Sequence, residues 1–210
     1  MFKKAFKYAI LPVIIILTAY NSVYFKKLDE VKAAAAPEFD AAAYARNYFD
    51  NKLPEALNKA VEINQLAAML QKDEEKTFST HSNALGIGNI RYFLVKGEGT
   101  ITAVDENNVS VLAAADGSEK PVKIAIEYVF GNAVRDASGL ININEFENTM
   151  DFNNVSAEIN KIIRGEVLPS FKAKAEKGKR MRFVGALELN QEHLNFDDPE
   201  IIPVKLEIVN

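Results

Sequence analysis

Polar side chains of the kinds that bind ligands or perform catalysis are concentrated in residues 131–154, GNAVRDASGLININEFENTMDFNN. Connections of this length between regular elements usually have a function or are disordered. Apolar residues such as Val134, Ile141 and Phe152 are interleaved with the polar ones and would pin the stretch to a core. We therefore predict an ordered loop that presents its polar groups to a ligand or partner. The candidate binding residues are Asn132, Arg135, Asp136, Ser138, Asn142, Asn144, Asp151, Asn153 and Asn154.

Two other interpretations of the same stretch stay open. Among its carboxylates, Asp136, Glu145, Glu147 and Asp151, two could stand at the separation that glycoside hydrolysis requires, which a sequence does not reveal. Alternatively, Arg135 and Asp136 form a local salt bridge while the asparagines cap turns and the following helix, which would make the stretch purely structural.

The composition excludes several kinds of site. There is no cysteine, so thiol nucleophiles, disulfides and cysteine-based zinc sites are excluded. The two histidines, His81 and His193, lie far apart and outside the polar stretch. Asn142, Asn144 and Asp151 offer oxygen ligands, but the EF-hand spacing with its central glycine is missing. We expect no metal, no cofactor and no catalytic residue, and hence a protein that is not an enzyme.

Residues 1–27 have the layout of an export signal, with three lysines, an apolar run from Tyr8 to Ala19, aromatic residues and two more lysines. Small residues suited to cleavage are poorly placed, so we predict an uncleaved signal-anchor that crosses the inner membrane through residues 8–25. A cleaved signal peptide is the alternative. With either kind of signal, residues 28–210, the body of the protein, would lie in the periplasm. These 27 residues carry five lysines and no acid, so the formal net charge of −4 leaves −9 on residues 28–210, which argues against nucleic-acid binding.

The body divides by periodicity into two segments. Residues 28–88 show apolar residues at helical spacing, with proline-marked helix starts at Pro37 and Pro54. Residues 89–210 switch to a period of two, with strand-like runs at 91–97, 99–105, 109–113 and 122–130 separated by turn residues. We predict three domains or segments, namely an anchor (1–27), a helical segment (28–88) and a β domain (89–210) that contains the loop 131–154.

A helix follows the polar stretch, because apolar residues from Val155 to Val167 recur at helical spacing and Asn153 or Asn154 can cap its start. Two further strands follow, at 180–189 and 201–209. Three strands, a helix and two strands form the order of an OB-type barrel, and Gly185 within its strand suits the bend that small barrels need. The predicted fold class is α+β, with an OB-like five-stranded antiparallel β-barrel and a helix between strands 3 and 4.

Four blocks carry a resemblance to a known family: YNSVYFKKLDEVKA (20–33), YFLVKGEGTITAVD (92–105), residues 131–154 and RFVGALELN (182–190). The chain resembles a bacterial family of predicted periplasmic lipoproteins of unknown function, and the resemblance covers nearly all of the chain after the anchor. It implies an exported, membrane-tethered protein whose relatives are often encoded beside sugar ABC transporters. Without cysteine this chain cannot carry the lipid, so the hydrophobic segment must provide any tether.

These observations together predict a periplasmic accessory or ligand-binding protein. Its expected partners are the inner membrane and either sugar ABC transporter components or a carbohydrate, the transport link resting on the resemblance alone. A carbohydrate-active hydrolase and a structural envelope protein are the alternatives.

Overall fold

The computed structural model describes residues 12, 15–18, 20–22, 39–86, 88–115 and 117–209. Contacts divide the chain into two units, Met1–Phe39 and Asp40–Asn210. The described residues between positions 12 and 22 are helical, and the Asn21 and Ser22 side chains donate to the carbonyls of Leu17 and Thr18. Over the ranges given above, no helix is both long enough and apolar enough to cross a membrane. Most of the predicted anchor, residues 1–27, lies outside the described residues.

Short helices open the second unit. They are α1 (Ala41–Asn47), a π-helical turn (Tyr48–Lys52), α2 (Leu53–Leu57), α3 (Ile63–Lys72) and α4 (Glu74–His81). Asp40 caps α1 by accepting from Ala43 N at 2.8 Å, and Asp73 caps α4 by accepting from Lys76 N at 3.1 Å. Pro54 lies in the first turn of α2, where its missing N–H costs no hydrogen bond.

The strands are β1 (Val61–Glu62), β2 (Ser82–Asn83), β3 (Ile90–Val104), β4 (Asn108–Ala115), β5 (Ser118–Ala125), β6 (Arg180–Asn190) and β7 (Glu200–Val209). Five of them form a closed series of pairings, in which β3 pairs with β4, β4 with β5, β5 with β7, β7 with β6 and β6 with β3. This connectivity, with helices between β5 and β6, is the strand order predicted from the sequence.

Two features of the predicted sheet were wrong. The pairings are not all antiparallel, because β5 and β7 pair in parallel at Lys123–Glu200 and Ile124–Ile201. The sheet also contains more than five strands, because β1 and β2 come from the segment predicted to be helical and pair with β3. Two-residue strands are too short to show a period of two, so only the neighbouring strand reveals them.

A further correction concerns β3, a single strand of 15 residues that runs through both of the predicted strand-like runs 91–97 and 99–105. Its first part pairs with β6 and its last part pairs with β4. Gly99 lies where the partner changes, and a Cβ at this position would clash with the backbone of Leu112 and Ala113. The glycines at 97 and 99 thus permit close packing within a continuous strand instead of marking a turn.

The predicted strand 122–130 was too long. Strand β5 ends at Ala125, after which Ile126 N donates to Asn107 O and Val129 N donates to Glu127 O. Val129 is buried, whereas the flanking Tyr128 and Phe130 are 65% and 61% exposed. Ala125 and Ile126 are both buried and Glu127 and Tyr128 are both exposed, so the alternation of side chains breaks where the ladder ends, although the sequence stays rich in apolar and aromatic residues through Phe130.

The connection between β5 and β6 contains α5 (Ala133–Ser138), a 3₁₀ turn (Ile143–Glu145), α6 (Thr149–Ile162), a π-helical turn (Ile163–Val167) and α7 (Leu168–Lys172). The predicted cap at Asn153 or Asn154 was wrong. Asn148 caps α6 by accepting from Asp151 N at 2.9 Å. The helix begins earlier because Phe152 extends the buried stripe of Val155, Ile159 and Ile162 by one turn.

The core lies inside the paired strands and beneath α6. Alternate residues of the strands are buried, including Phe93 and Val95 of β3 and Phe183 of β6. On the helical side, Val155 and Ile159 of α6 are no more than 1% exposed. Helix α6 packs against α1 and α5, so this part of the core lies between helices.

Candidate functional site

Arg135 and Asp136, which the sequence analysis offered as ligand-binding groups, form a buried ion pair in α5. Their side chains are 3% and 1% exposed, and Arg135 Nε donates to Asp136 Oδ1 at 2.6 Å. Arg135 also donates through Nη1 to the carbonyl of Phe152 at 3.1 Å, and its guanidinium lies 3.5 Å from the centroid of the Phe152 ring. The alternative interpretation of a local salt bridge is therefore what the structure shows.

Asn132 completes this buried group. Its Nδ2 donates to Asp136 Oδ2 and, at 3.2 Å, to the hydroxyl of Tyr92 on β3. Burial, followed by the nearby Glu188, raises the pKa of Tyr92 above its ordinary value. The polar network thus joins α5 to the sheet, and each hydrogen bond to Asp136 compensates for the cost of burying its charge.

An aromatic series continues from Arg135 toward α1. Phe152 and Phe146 pack edge to face at 5.3 Å, and Phe146 lies 5.3 Å from Tyr44. The hydroxyl of Tyr44 donates to Glu145 at 3.0 Å. Burial and this carboxylate raise the pKa of Tyr44 to about 12. The 3₁₀ turn is thereby held against the first helix of this unit.

The remaining predicted site residues are distributed along the connection. Ser138 donates to Arg135 O at 2.8 Å and ends α5, whereas Asn142 accepts from the backbone N of Asn144 at 2.9 Å. Asp151 accepts from Asn148 Nδ2 at 2.8 Å. Asn153 and Asn154 are exposed on α6. The structure brings Asn132, Arg135 and Asp136 together. Ser138, Asn142 and Asp151 make local turn or cap contacts. A binding role for the nine residues stays a prediction.

A concave surface lies outside the stretch 131–154, between α3, the start of β5 and the loop 191–199 that connects β6 to β7. This α3–β5 cleft has a volume of about 720 Å³, within the range of small-molecule sites. Its described lining residues are Asn64, Ala67, Ala68, Leu70, Gln71, Glu74, Ser118, Glu119, Lys120, Pro121, Leu194, Phe196 and Asp197.

Hydrogen bonds hold the loop 191–199 in place. Lys120 Nζ donates to Asp197 O at 3.3 Å and lies 4.9 Å from the centre of the Phe196 ring. Lys123 pairs with Asp198, and this contact raises the pKa of Lys123. At the other end, Asn190 Oδ1 accepts from the backbone N of Glu192 at 2.9 Å. The wall of the cleft is therefore ordered before any ligand binds.

Asn64 joins α3 to the turn between β4 and β5. Its Nδ2 donates to Ser118 O at 2.8 Å and to Ser118 Oγ at 3.0 Å. The residue is 8% exposed, and its buried Oδ1 has no hydrogen-bond partner among the described residues. An unsatisfied buried acceptor is unusual in a folded protein, and here it belongs to a residue that lines the cleft.

No metal centre is visible in the part of the chain that the structure describes, where no three His, Cys, Asp or Glu side chains are placed to share an ion. Within the cleft, the described charged residues are Glu74, Glu119, Asp197 and Lys120, and Lys120 is already engaged with Asp197 and Phe196. The described lining is therefore suited to hydrogen bonding and apolar contact with a neutral ligand.

The sequence analysis did not identify Asn64, Lys120 or Phe196. A signal existed, because OB-type folds bind ligands on strands 2 and 3 and with the loop between strands 4 and 5. Once the strand order was predicted, residues 118–121 and 191–199 could have been singled out by position. Asn64 gave no such signal, since its contact with Ser118 depends on how α3 packs.

The strand order and the cleft place the protein in the OB-fold class. The chain is similar to a solved OB-fold protein from Thermotoga maritima, with 26% sequence identity and a TM-score of 0.71 over 81% of this chain and 99% of that chain. The predicted OB-like fold and the α+β class are confirmed at this level.

The chain belongs to the family described as "Predicted periplasmic lipoprotein (DUF2291)", whose model matches residues 13–207. The resemblance noted in the sequence is thereby confirmed, and the family's description places its members in the periplasm. No curated protein matches the chain. The 210 residues contain no cysteine, so none of them can be lipid-modified as in a bacterial lipoprotein.

Proposed function

We propose that the protein is a non-catalytic periplasmic binding module that takes a neutral, hydroxyl-rich ligand, a mono- or oligosaccharide, in the α3–β5 cleft. The observation that carries the proposal is the position of the cleft. It combines the third strand of the OB fold with the loop between the fourth and fifth strands, which are the surfaces that OB-type folds use to bind oligonucleotides and oligosaccharides.

The charge of the cleft favours the saccharide. Its described residues include three carboxylates and one ammonium, and residues 28–210 carry a formal net charge of −9. A phosphate backbone would be repelled by both. Sugars need apolar contact for their ring faces and amide or carboxylate groups for their hydroxyls. Phe196 and Leu194 would supply the apolar contact, and Gln71 and Glu119 would bind the hydroxyls.

The contacts of the polar stretch support binding over hydrolysis. Asp136 is buried and accepts hydrogen bonds from Arg135, Glu145 accepts from Tyr44 and Asp151 accepts from Asn148. A glycoside hydrolase needs one carboxyl group poised to donate a proton and another facing the sugar. Asp136, held by a guanidinium inside the core, meets neither requirement.

The proposal extends to location and partners. We propose that residues 8–25 tether the protein to the inner membrane and that it assists a sugar ABC transporter. The tether is supported by the lysine-flanked apolar sequence. The transport role is supported by the saccharide chemistry proposed for the cleft and by the genomic association that the family resemblance implies.

Ligand binding is tested by calorimetry and thermal melting of the full chain in detergent with glucose, galactose, ribose, maltose and cellobiose. At least one sugar should bind and raise the melting temperature, since a ligand that binds only the folded state must stabilise it. Phe196→Ala should weaken binding about tenfold or more, whereas Phe130→Ala, a matched exposed aromatic outside the cleft, should not. Absence of binding by every sugar, or equal effects of both variants, would refute the binding role.

The tether and the transport role need a separate experiment. Cells expressing the tagged full chain are fractionated, and the membrane fraction is solubilised for a pull-down with mass spectrometry. Recovery in the membrane fraction together with a transporter permease or a solute-binding protein is expected. Release with the soluble periplasmic fraction would contradict the tether, and a pull-down without transporter components would contradict the transport role.

A further inference from the structure

A second concave surface lies on another face of the same unit. This α2–α5 cleft, with a volume of about 380 Å³, is formed by α2 and the residues just after it, by the end of α4 with β2, and by the end of α5. Its lining is mixed, and its apolar members include Leu94 of β3 and Leu140 after α5. It shares no lining residue with the α3–β5 cleft.

The wall of this cleft is built by a close contact between β2 and α5. Asn83 Nδ2 donates to the carbonyl of Ala137 at 2.8 Å. The next turn contains Gly139, which has a φ of 65° and ends α5. A Cβ at Gly139 would lie 2.8 Å from Asn83 Oδ1, so the absence of a side chain lets the carboxamide pack against the end of the helix. The cleft is therefore preformed.

In the part of the chain that the structure describes, three ionisable side chains line the cleft, those of Glu55, Lys59 and His81. Glu55 and Lys59 lie four residues apart, a spacing that commonly produces an ion pair where both residues are helical, although Lys59 follows the end of α2 at Leu57. Among the described residues, however, neither forms an ion pair with the other or with a third residue. His81, half-buried at the end of α4, also lines the cleft. The lining thus offers a carboxylate, an ammonium group and an imidazole.

We propose that the α2–α5 cleft binds a small zwitterion that carries both an ammonium and a carboxylate group, namely a free amino acid or a dipeptide. Glu55 accepts hydrogen bonds from the ammonium group, and Lys59 with His81 donates to the carboxylate. The volume is sufficient for a ligand of this size. Leu94 and Leu140 in the lining provide apolar contact for its side chain. The proposal rests on residues that the saccharide site does not use.

Calorimetry on the full chain with the common amino acids and the dipeptide Ala-Ala provides the test. The tightest of these compounds is then compared with its N-acetylated and its amidated forms. Glu55→Gln should weaken binding of the free compound about tenfold or more and should leave binding of the N-acetylated form unchanged. Lys59→Met should likewise weaken binding of the free compound and should leave binding of the amidated form unchanged.

Glu106→Gln, at an exposed carboxylate between β3 and β4 that lines neither cleft, is the matched control and should leave zwitterion binding unchanged. Glu55 and Lys59 are both exposed, so their variants should fold, and thermal melting verifies this. If no zwitterion binds, or if Glu55→Gln weakens the free and N-acetylated compounds equally, the proposal is overturned. The sugar titrations with Phe196→Ala are unaffected by either outcome, so failure of one site does not imply failure of the other.

Discussion

At the residue scale, the buried polar side chains of the stretch 131–154 form hydrogen bonds mainly with other groups of the same stretch. The guanidinium of Arg135 donates to a carboxylate and to a backbone carbonyl, and it stacks on the ring of Phe152. A buried ion pair of this kind costs desolvation energy that its hydrogen bonds largely offset. Its principal effect is to fix how α5 packs on α6.

Removal of one member of the pair should be strongly destabilising. Asp136→Asn or Arg135→Ala leaves an uncompensated buried group, and we expect either to lower the free energy of unfolding by about 3–5 kcal/mol. The double variant Arg135→Met/Asp136→Leu should lose less than either, because no charge remains buried. Urea denaturation followed by circular dichroism measures these values.

The exposed pair Lys161–Glu158 on α6 serves as the control. Lys161→Ala should change stability by less than about 1 kcal/mol, since surface ion pairs contribute little. Equal losses for Arg135→Ala and Lys161→Ala would mean that the buried network does not carry the stability assigned to it.

Tyr44 makes an alkaline contribution to stability. Burial and Glu145 raise its pKa to about 12 in the folded state, compared with about 10 in an unfolded chain. A raised pKa means that the contribution is complete below pH 10 and is lost as the pH rises through about 12. The decline in the free energy of unfolding over this interval should therefore be smaller for Tyr44→Phe than for the wild type.

Glu145→Gln should lower the pKa of Tyr44, whereas Glu147→Gln, an exposed neighbour on the same segment, should not. The difference spectrum of tyrosinate between Tyr44→Phe and each parent protein measures this pKa directly. An unchanged titration in Glu145→Gln would show that the hydrogen bond to Tyr44 has no influence on its ionisation.

At the element scale, the sheet depends on two glycines that allow strands to approach each other. Gly99 lies where β3 changes partner from β6 to β4. Gly185 lies at a shift in the register between β6 and β7. At Gly185 a Cβ would meet the carbonyl oxygen of Ile202 and would lie 2.6 Å from Ile201 Cγ2.

Gly99→Ala and Gly185→Ala should each destabilise the protein by about 1–3 kcal/mol, because the added methyl group must separate paired strands. Gly165, in the π-helical turn after α6, has open space around it and no positive φ. Gly165→Ala should therefore be neutral or stabilise by up to about 1 kcal/mol. Thermal melting of the three variants decides the matter, and a loss at Gly165 as large as at Gly185 would argue against the steric explanation.

At the scale of the whole molecule, the sheet, its core and both clefts belong to the unit Asp40–Asn210. Residues 1–27 carry five lysines and no acid, whereas residues 28–210 carry a formal net charge of −9. The predicted boundaries at residues 27 and 88 remain a prediction. Within this unit, β1 joins the helical part of the chain to the sheet.

A chain limited to residues 40–210 should therefore fold. Its far-ultraviolet circular dichroism should show the mixed helix and strand content of the unit, and it should melt cooperatively at nearly the temperature of the full chain. A chain limited to residues 89–210 should melt lower, since it lacks α3 and the Asn64 bond to the turn between β4 and β5. A non-cooperative transition for residues 40–210 would contradict the compact unit.

Much of the fold could be predicted because it depends on local periodicity. Strands β4, β6 and β7 show a period of two, and the turns between strands carry asparagine, aspartate or glycine. The predicted order of strands and helix follows directly from these signals. Short strands such as β1 were not predictable, because two residues are too few to show a period of two. The cap of α6 was not predictable either, because several asparagines could cap the helix and packing selected one of them.

The site was less predictable for a related reason. The sequence by itself determined the OB-type order, the acidic body, the absence of thiol chemistry and the concentration of polar residues at 131–154. Only the tertiary structure decided that Arg135 and Asp136 face each other inside the core and that Asn64, Lys120 and Phe196 line one cleft. Arg135 and Asp136 are adjacent in the chain, but whether their pair is buried depends on how α5 packs, and the cleft joins residues that are distant in the chain. Residue types and spacing specify neither burial nor such distances.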